Sequence, residues 1–172
     1  MLIKIKGILD FYLKDVSKKH ISQSSWKKTA IIKTNCDLDK YYAWFLKKRF
    51  NLELNLNLRG SHITIINDIV DNDIYQQASK IFNGREIDFY IEIEPRSSGL
   101  HWWLRSYSTD AESIRESIGL DRIPYHPFHL TIGHANTKYL DHSEYILRQC
   151  VKFDLISSNK RIDFKDHEII EF

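Results

Sequence analysis

Two short stretches of the chain share a pattern of residue types that can carry out acid–base chemistry. "HITI" begins at His62 and "HLTI" begins at His129, so each has an aliphatic residue between a histidine and a threonine. In a β-strand, side chains two residues apart lie on the same face. We therefore expect His62 and Thr64 to point together, and His129 and Thr131 to do the same, while the aliphatic residues between them face a core.

Two histidines and two threonines facing one cleft would suit phosphodiester cleavage at a ribose. One neutral histidine would remove a proton from a 2′-hydroxyl or a water, and the other, as imidazolium, would protonate the leaving 5′-oxygen. The threonine hydroxyls would donate hydrogen bonds to the non-bridging phosphate oxygens as negative charge develops there. This chemistry requires no metal ion and no cofactor. A single His-x-Thr is common in strands, so the prediction depends on the presence of two copies.

The paired motifs resemble those of the 2H phosphoesterase superfamily. That superfamily includes RNA 2′,5′-ligase-like proteins, cyclic phosphodiesterases, and viral enzymes that destroy 2′,5′-oligoadenylates or cyclic dinucleotides. The resemblance extends from about Trp26 to the C-terminus, although only the two motifs are specific. It implies an α+β, bilobal (LigT-like) fold, in which two pseudo-symmetric β–α–β halves with antiparallel sheets surround a central cleft. It also implies that His62, Thr64, His129 and Thr131 are the catalytic residues.

Three histidines cluster around the second motif, at His126, His129 and His134. On a regular strand His129 and His134 would point to opposite faces, because an odd number of residues separates them. Pro127 also restricts His126 to an extended conformation. We therefore expect no metal site here, with His126 at the rim of the cleft and His134 at the end of the strand.

Further residues are candidates for substrate contact. In the predicted strand "HWWLRS", His101, Trp103 and Arg105 share one face, which would stack a nucleobase and neutralise a phosphate. The alternative is two core tryptophans beside a solvated arginine. Tyr90 lies on the polar face of the neighbouring strand, where a solvated sheet face is the alternative. Tyr125 precedes the second motif, where a packed loop tyrosine is equally compatible.

The predicted elements alternate between strands and helices. The first 25 residues are predicted to form an N-terminal extension or an extra hairpin. A helix should follow Asp37, a second should end at Asn83-Gly84, and a third should begin at a capping box from Thr109 to Glu112. The predicted strands are Trp26–Thr34, "HITII", "EIDFYIEIE", "LHWWLRSYS" and "FHLTIGH". A helix around "SEYILRQC" and two strands separated by a turn at Ser158-Asn159 complete the prediction.

Composition limits the possible functions. A chain of 172 residues favours one domain over 1–172, and a net charge of +2 is too weak for an extended nucleic-acid surface. No apolar run is long enough to predict a membrane span, and two cysteines fit a reducing cytoplasm. The oligomeric state is left open.

We therefore expect a phosphodiesterase that hydrolyses a small signalling nucleotide. A cyclic dinucleotide such as cGAMP, or a 2′,5′-oligoadenylate, is the favoured substrate, and analogy with viral members suggests evasion of host nucleotide-signalled immunity. One alternative is an RNA-end-processing cyclic phosphodiesterase that opens 2′,3′-cyclic phosphates. The other alternative is a nucleotide-binding module without catalysis.

Overall fold

The computed structural model describes residues 1–12, 28–98, 100–135 and 169–171. These residues form a mixed α+β structure of three helices and one largely antiparallel sheet. The elements in chain order are β1 (Leu2–Asp10), β2 (Ala30–Thr34), α1 (Leu38–Phe50), β3 (Leu54–Leu56), β4 (His62–Ile66), α2 (Asn72–Phe82), β5 (Glu86–Glu92), β6 (Arg96–Ser97), β7 (His101–Tyr107), α3 (Thr109–Ser117), β8 (His129–Ala135) and β9 (Ile169–Glu171).

Six of the strands close into a barrel. Their order is β8, β4, β2, β1, β5 and β7, and β7 pairs back to β8. Each of these neighbouring pairs is antiparallel. Outside the ring, β3 pairs with β8, β6 pairs with β7, and β9 pairs in parallel with β1. The α+β class is therefore confirmed, and the described strands belong to one sheet.

Alternate residues of the barrel strands form the core. Ile63 and Ile65 on β4, and Leu130 and Ile132 on β8, are completely buried. Burying one such aliphatic side chain contributes about 1.5–3 kcal/mol. Because these residues alternate with the histidines and threonines of the two motifs, core packing holds the motif side chains on the opposite face of β4 and β8.

The N-terminal residues correct the sequence prediction. Leu2–Asp10 form a nine-residue strand between β2 and β5, rather than an extension or an extra hairpin. Gly7 shows how closely β1 is packed, because a Cβ there would lie 2.5 Å from Ile32 Cγ2 and 2.6 Å from the Lys33 carbonyl oxygen. The alternation of apolar residues and lysines in "LIKIKGILD" marks a strand, but its partners lie far along the chain.

The helices largely follow the prediction, with one correction at a cap. The side chain of Ser108, and not that of Thr109, caps α3 by accepting a hydrogen bond from the Ala111 N–H at 3.2 Å. The predicted capping box therefore starts one residue too late. The predicted helix at "SEYILRQC" and the turn at Ser158-Asn159 lie outside the described residues. None of the described helices has the length and apolar character needed to cross a membrane.

Candidate active site

The two His-x-Thr motifs meet at the point where β4 and β8 pair. Ile63 lies opposite Leu130 in this antiparallel register. One step along the ladder in either direction places His62 across from Thr131, and Thr64 across from His129. A local twofold axis through the pair of aliphatic residues therefore relates one motif to the other.

A cleft of about 680 Å³ opens over this junction, and all four motif side chains line it. The volume lies within the range of small-molecule sites in proteins. Both threonines are half-buried, so each is partly accessible to solvent. The structure therefore brings together the four residues whose chemistry the sequence singled out.

Both histidines are held by the same hydrogen bond. His62 Nδ1 lies 2.8 Å from the carbonyl oxygen of Gly60, and His129 Nδ1 lies 2.8 Å from that of Pro127. A carbonyl oxygen can only accept, so Nδ1 carries the proton and donates in each case. Nε2 is then the nitrogen that gains or loses a proton in both rings, which is the arrangement that general acid–base catalysis needs.

Burial lowers the pKa of both histidines below the ordinary value of 6.5, and the hydrogen bond to a carbonyl partly opposes this effect. Nearby positive charge lowers the two values further. Arg59 and Lys33 act on the pKa of His62, whereas His126 acts on that of His129. In the unliganded protein at neutral pH both rings are therefore mainly neutral, and a bound phosphodiester anion would favour protonation of one of them.

The predicted substrate-contact residues fall into two groups around His129. His101 and Tyr125 line the main cleft, and Tyr125 is 93% exposed. Trp103 and Arg105 line a smaller depression that also reaches His129. The two depressions thus share one motif histidine as a common wall.

The predicted two-faced character of "HWWLRS" holds only in part, because Trp103 is buried as well as Trp102. Trp102 and Leu104 are completely buried. In the pairing of β7 with β8, Trp103 lies opposite Thr131 and Arg105 lies opposite His129. Trp103 is itself only 9% exposed, and it packs edge-on against the His129 ring with 6.4 Å between ring centroids. Its observed contact is therefore with the motif histidine.

Tyr90 and Arg105 both have Tyr107 as a neighbour. Tyr90 lies opposite Tyr107 in the pairing of β5 with β7, and it is not among the residues that line the main cleft. The Arg105 guanidinium lies over the Tyr107 ring, 5.4 Å from its centroid. The Tyr107 hydroxyl in turn donates a hydrogen bond to Glu92. Tyr90 is thus set apart from the other four predicted substrate contacts.

The expectation that His134 points away from His129 is wrong. The register between β7 and β8 shifts by one residue, because Trp102 pairs with Gly133 whereas Trp103 pairs with Thr131. Such a bulge reverses the alternation along the strand. His134 consequently lines the same cleft as His129, as does His126. Within the described residues, no group of three or more His, Cys, Asp or Glu side chains is arranged to hold a metal ion.

Four polar residues of the cleft were not singled out from the sequence. Asn57 and Arg59 precede β4, and Asn67 and Asp68 follow it. Their position in the sequence could have identified them, because polar residues at both ends of a short buried strand lie beside the side chains of that strand.

Comparisons of the chain with protein-family models, with curated proteins and with solved structures find no match.

Proposed function

We propose that this protein is a metal-independent phosphodiesterase that acts on a small nucleotide. One observation carries the proposal: two His-x-Thr motifs lie across a local twofold axis in one cleft, and both histidines are held in the same tautomer. The geometry supplies two titratable nitrogens and two hydroxyl donors on rigid strands. The bilobal 2H phosphoesterase fold that the motifs imply stays a prediction.

In the proposed reaction one histidine acts as base and the other as acid. The base takes the proton from water or from the free ribose hydroxyl beside the phosphodiester, which is the 2′-hydroxyl in a 3′,5′ linkage and the 3′-hydroxyl in a 2′,5′ linkage, and that oxygen forms a bond to phosphorus. The bond from phosphorus to the 5′-oxygen breaks, and the imidazolium gives its proton to this leaving oxygen. Thr64 and Thr131 donate hydrogen bonds to the non-bridging oxygens, where negative charge increases in the transition state. The motifs themselves do not assign the base and the acid, since they are equivalent by the local axis.

The size and charge of the cleft support a small substrate. A volume of about 680 Å³ accommodates a nucleotide or a dinucleotide, and the net charge of the chain is only +2. Positive charge is instead local, at Arg59 beside His62 and at Arg105 beside His129. We propose a cyclic dinucleotide or a 2′,5′-oligoadenylate as substrate, with His101, Tyr125 and Arg105 among its contacts.

A panel of substrates tests the proposal. The protein is incubated in EDTA with cyclic dinucleotides of 3′,3′ and 2′,3′ linkage, with 2′,5′-oligoadenylate, and with an oligonucleotide ending in a 2′,3′-cyclic phosphate. We expect cleavage of a signalling nucleotide, undiminished by EDTA. Cleavage of the cyclic phosphate alone would instead indicate RNA-end processing. Survival of every substrate would refute the catalytic proposal.

Single substitutions test the roles of the histidines. His62→Ala and His129→Ala should each lower kcat by about 10²–10⁴-fold, because each removes one proton-transfer group. His134→Ala is the matched control, since it removes a histidine of the same strand and cleft that lies outside the paired motif. It should retain most of the activity. Equal losses in the three variants would contradict the acid–base pairing.

A further inference from the structure

The likeness between the two halves of the cleft continues upstream of the motifs. Leu58 lies four residues before His62. Tyr125 occupies the equivalent position, four residues before His129. Leu58 is 88% exposed, Tyr125 is 93% exposed, and both line the cleft. A single exposed apolar side chain is ordinary at a protein surface, but two of them at equivalent positions around one cleft favour a ligand that covers both.

A hydrogen-bonded turn carries Leu58. The Gly60 N–H donates to the Asn57 carbonyl oxygen at 3.1 Å, and the Arg59 N–H donates to Asn57 Oδ1 at 3.1 Å. The turn connects the end of β3, which pairs with the last residues of β8, to the start of β4. Leu58 therefore lies on the His62 side of the local twofold axis.

The segment that carries Tyr125 is fixed at the other end of β4. The buried Arg115 donates to the carbonyl oxygen of Ile65 at 2.6 Å and to that of Asp121 at 2.7 Å. From Asp121 the chain runs through Tyr125 to His129, where β8 begins. Tyr125 therefore lies on the His129 side of the local axis, and the two exposed apolar side chains flank the motifs from opposite sides.

A side chain that can carry positive charge accompanies each apolar one. Arg59 and His126 lie three residues before the two motif histidines, and both line the cleft. Each is close enough to its motif histidine for its positive charge to lower the pKa of that ring. Each half of the cleft thus supplies an apolar surface, a group that can be cationic, a titratable nitrogen and a hydroxyl, in the same order along the chain. An anionic centre with an apolar group on either side matches this arrangement.

We propose that the cleft binds a nucleotide with one base on each side of the cleaved phosphodiester, and that one base packs on Tyr125 and the other on Leu58. This inference deepens the proposed function and rests on it, since the phosphodiester must lie between the two motifs. At most about 13 Å of extended chain separates each apolar residue from its motif histidine, and one nucleoside can span such a distance. A nucleotide with a single base leaves one of the two side chains uncovered. The cleft therefore favours an internal phosphodiester over a terminal cyclic phosphate.

Equilibrium binding of four ligands to the wild-type protein tests this inference. The first is an adenine dinucleoside monophosphate that lacks the free ribose hydroxyl beside its phosphate, which closes the ribose route to cleavage. The others lack the first base, the second base or both. Each ligand is prepared with a 3′,5′ and with a 2′,5′ linkage. Isothermal titration calorimetry measures the affinities, and chromatography verifies that the ligands stay intact.

We expect the ligand with two bases to bind more tightly than either ligand with one. Loss of the base at Tyr125 should weaken binding about tenfold, since stacking on an aromatic ring is favourable for every base. Loss of the base at Leu58 should weaken binding about threefold, because an aliphatic side chain removes less of the base from water. The ligand without bases should bind most weakly.

Three variants locate the two contacts. Tyr125→Ala should become insensitive to the loss of one base and stay sensitive to the loss of the other, and Leu58→Ala should show the reverse. Ile69→Ala is the matched control, because Ile69 is 94% exposed but is not among the residues that line the cleft. It should bind all four ligands as the wild-type protein does. All three side chains are exposed, so the fold should stay intact, and melting temperatures verify this.

Equal affinity of the wild-type protein for ligands with one and two bases, or no measurable binding of the two-base ligand in either linkage, overturns the inference. Insensitivity of Tyr125→Ala and Leu58→Ala to the same base, or of neither variant to any base, does the same. These outcomes are distinct from failure of the proposed function. A protein that cleaves phosphodiesters but binds one-base ligands equally well refutes only the inference of two base contacts. One that shows both base effects but cleaves nothing refutes only the catalytic proposal.

Discussion

Replacing Arg115 with methionine should destabilise the fold, because one buried guanidinium joins three segments around the cleft. Arg115 donates to the Ile65 carbonyl oxygen on β4 at 2.6 Å, to the Asp121 carbonyl oxygen before β8 at 2.7 Å, and to Asp68 at 2.7 Å. Methionine keeps much of the apolar volume of the side chain and removes all of these donors.

The expected cost follows from which partners water can reach. Asp121 is exposed and Asp68 is 33% exposed, so water replaces the guanidinium at both after the substitution. Ile65 is completely buried, and its carbonyl oxygen is left without the arginine donor, at a cost of about 1–3 kcal/mol. The lost charge-assisted bond to Asp68 adds about 1.5 kcal/mol. We therefore expect a loss of about 3 kcal/mol in the free energy of unfolding.

Urea denaturation, followed by tryptophan fluorescence, measures this loss. Arg122→Met is the matched control, because Arg122 is 39% exposed and pairs with Glu112 at 3.1 Å on the same side of the molecule. An exposed pair of this kind contributes less than about 1 kcal/mol. If Arg115→Met costs no more than Arg122→Met, the buried guanidinium does not hold the cleft together.

The pH dependence of kcat/KM for cleavage should be bell-shaped with its maximum below 6.5, because kcat/KM reports on the free protein, in which burial lowers the pKa of both His62 and His129; a maximum at or above neutrality would contradict this. The free energy of unfolding should fall as pH decreases below 6.5, because the unfolded chain then binds protons that the buried rings do not, and His129→Gln should reduce this dependence in denaturation curves. Gly133→Ala should lower stability by about 1–3 kcal/mol, since its Cβ would lie 2.6 Å from the Asn55 carbonyl oxygen on β3; an unchanged melting temperature would refute that contact.

Alternation along single strands predicted the faces of the site well. Ile63 and Leu130 are in the core, with the motif histidines and threonines on the other face, and Trp102 is buried as predicted. Such predictions succeed where one face of a strand packs in the core and the other lines the cleft, as in β4 and β8. Alternation does not reveal which strands are neighbours. The central position of Leu2–Asp10 depends on partners distant in the sequence, and it was not predicted.

One-residue shifts account for the local errors. The bulge between β7 and β8 brings His134 into the cleft, although regular alternation would point it away. At the start of α3 the adjacent Ser108 and Thr109 are both suitable caps, and only the backbone geometry selects Ser108. In both cases the residue types allow two registers, and tertiary packing selects one of them.

The local twofold axis explains why sequence alone could not distinguish the proposed base from the proposed acid. His62 and His129 have the same motif, the same carbonyl partner two residues earlier and the same tautomer. Any difference between them must come from residues outside the motifs. Arg59 carries a permanent positive charge beside His62, whereas the neighbours whose charge lowers the pKa of His129 are His126 and His101, which are charged only when they are themselves protonated. If the proposed function is correct, we therefore expect the residues around the two motifs, and not the motifs themselves, to decide how the substrate is oriented.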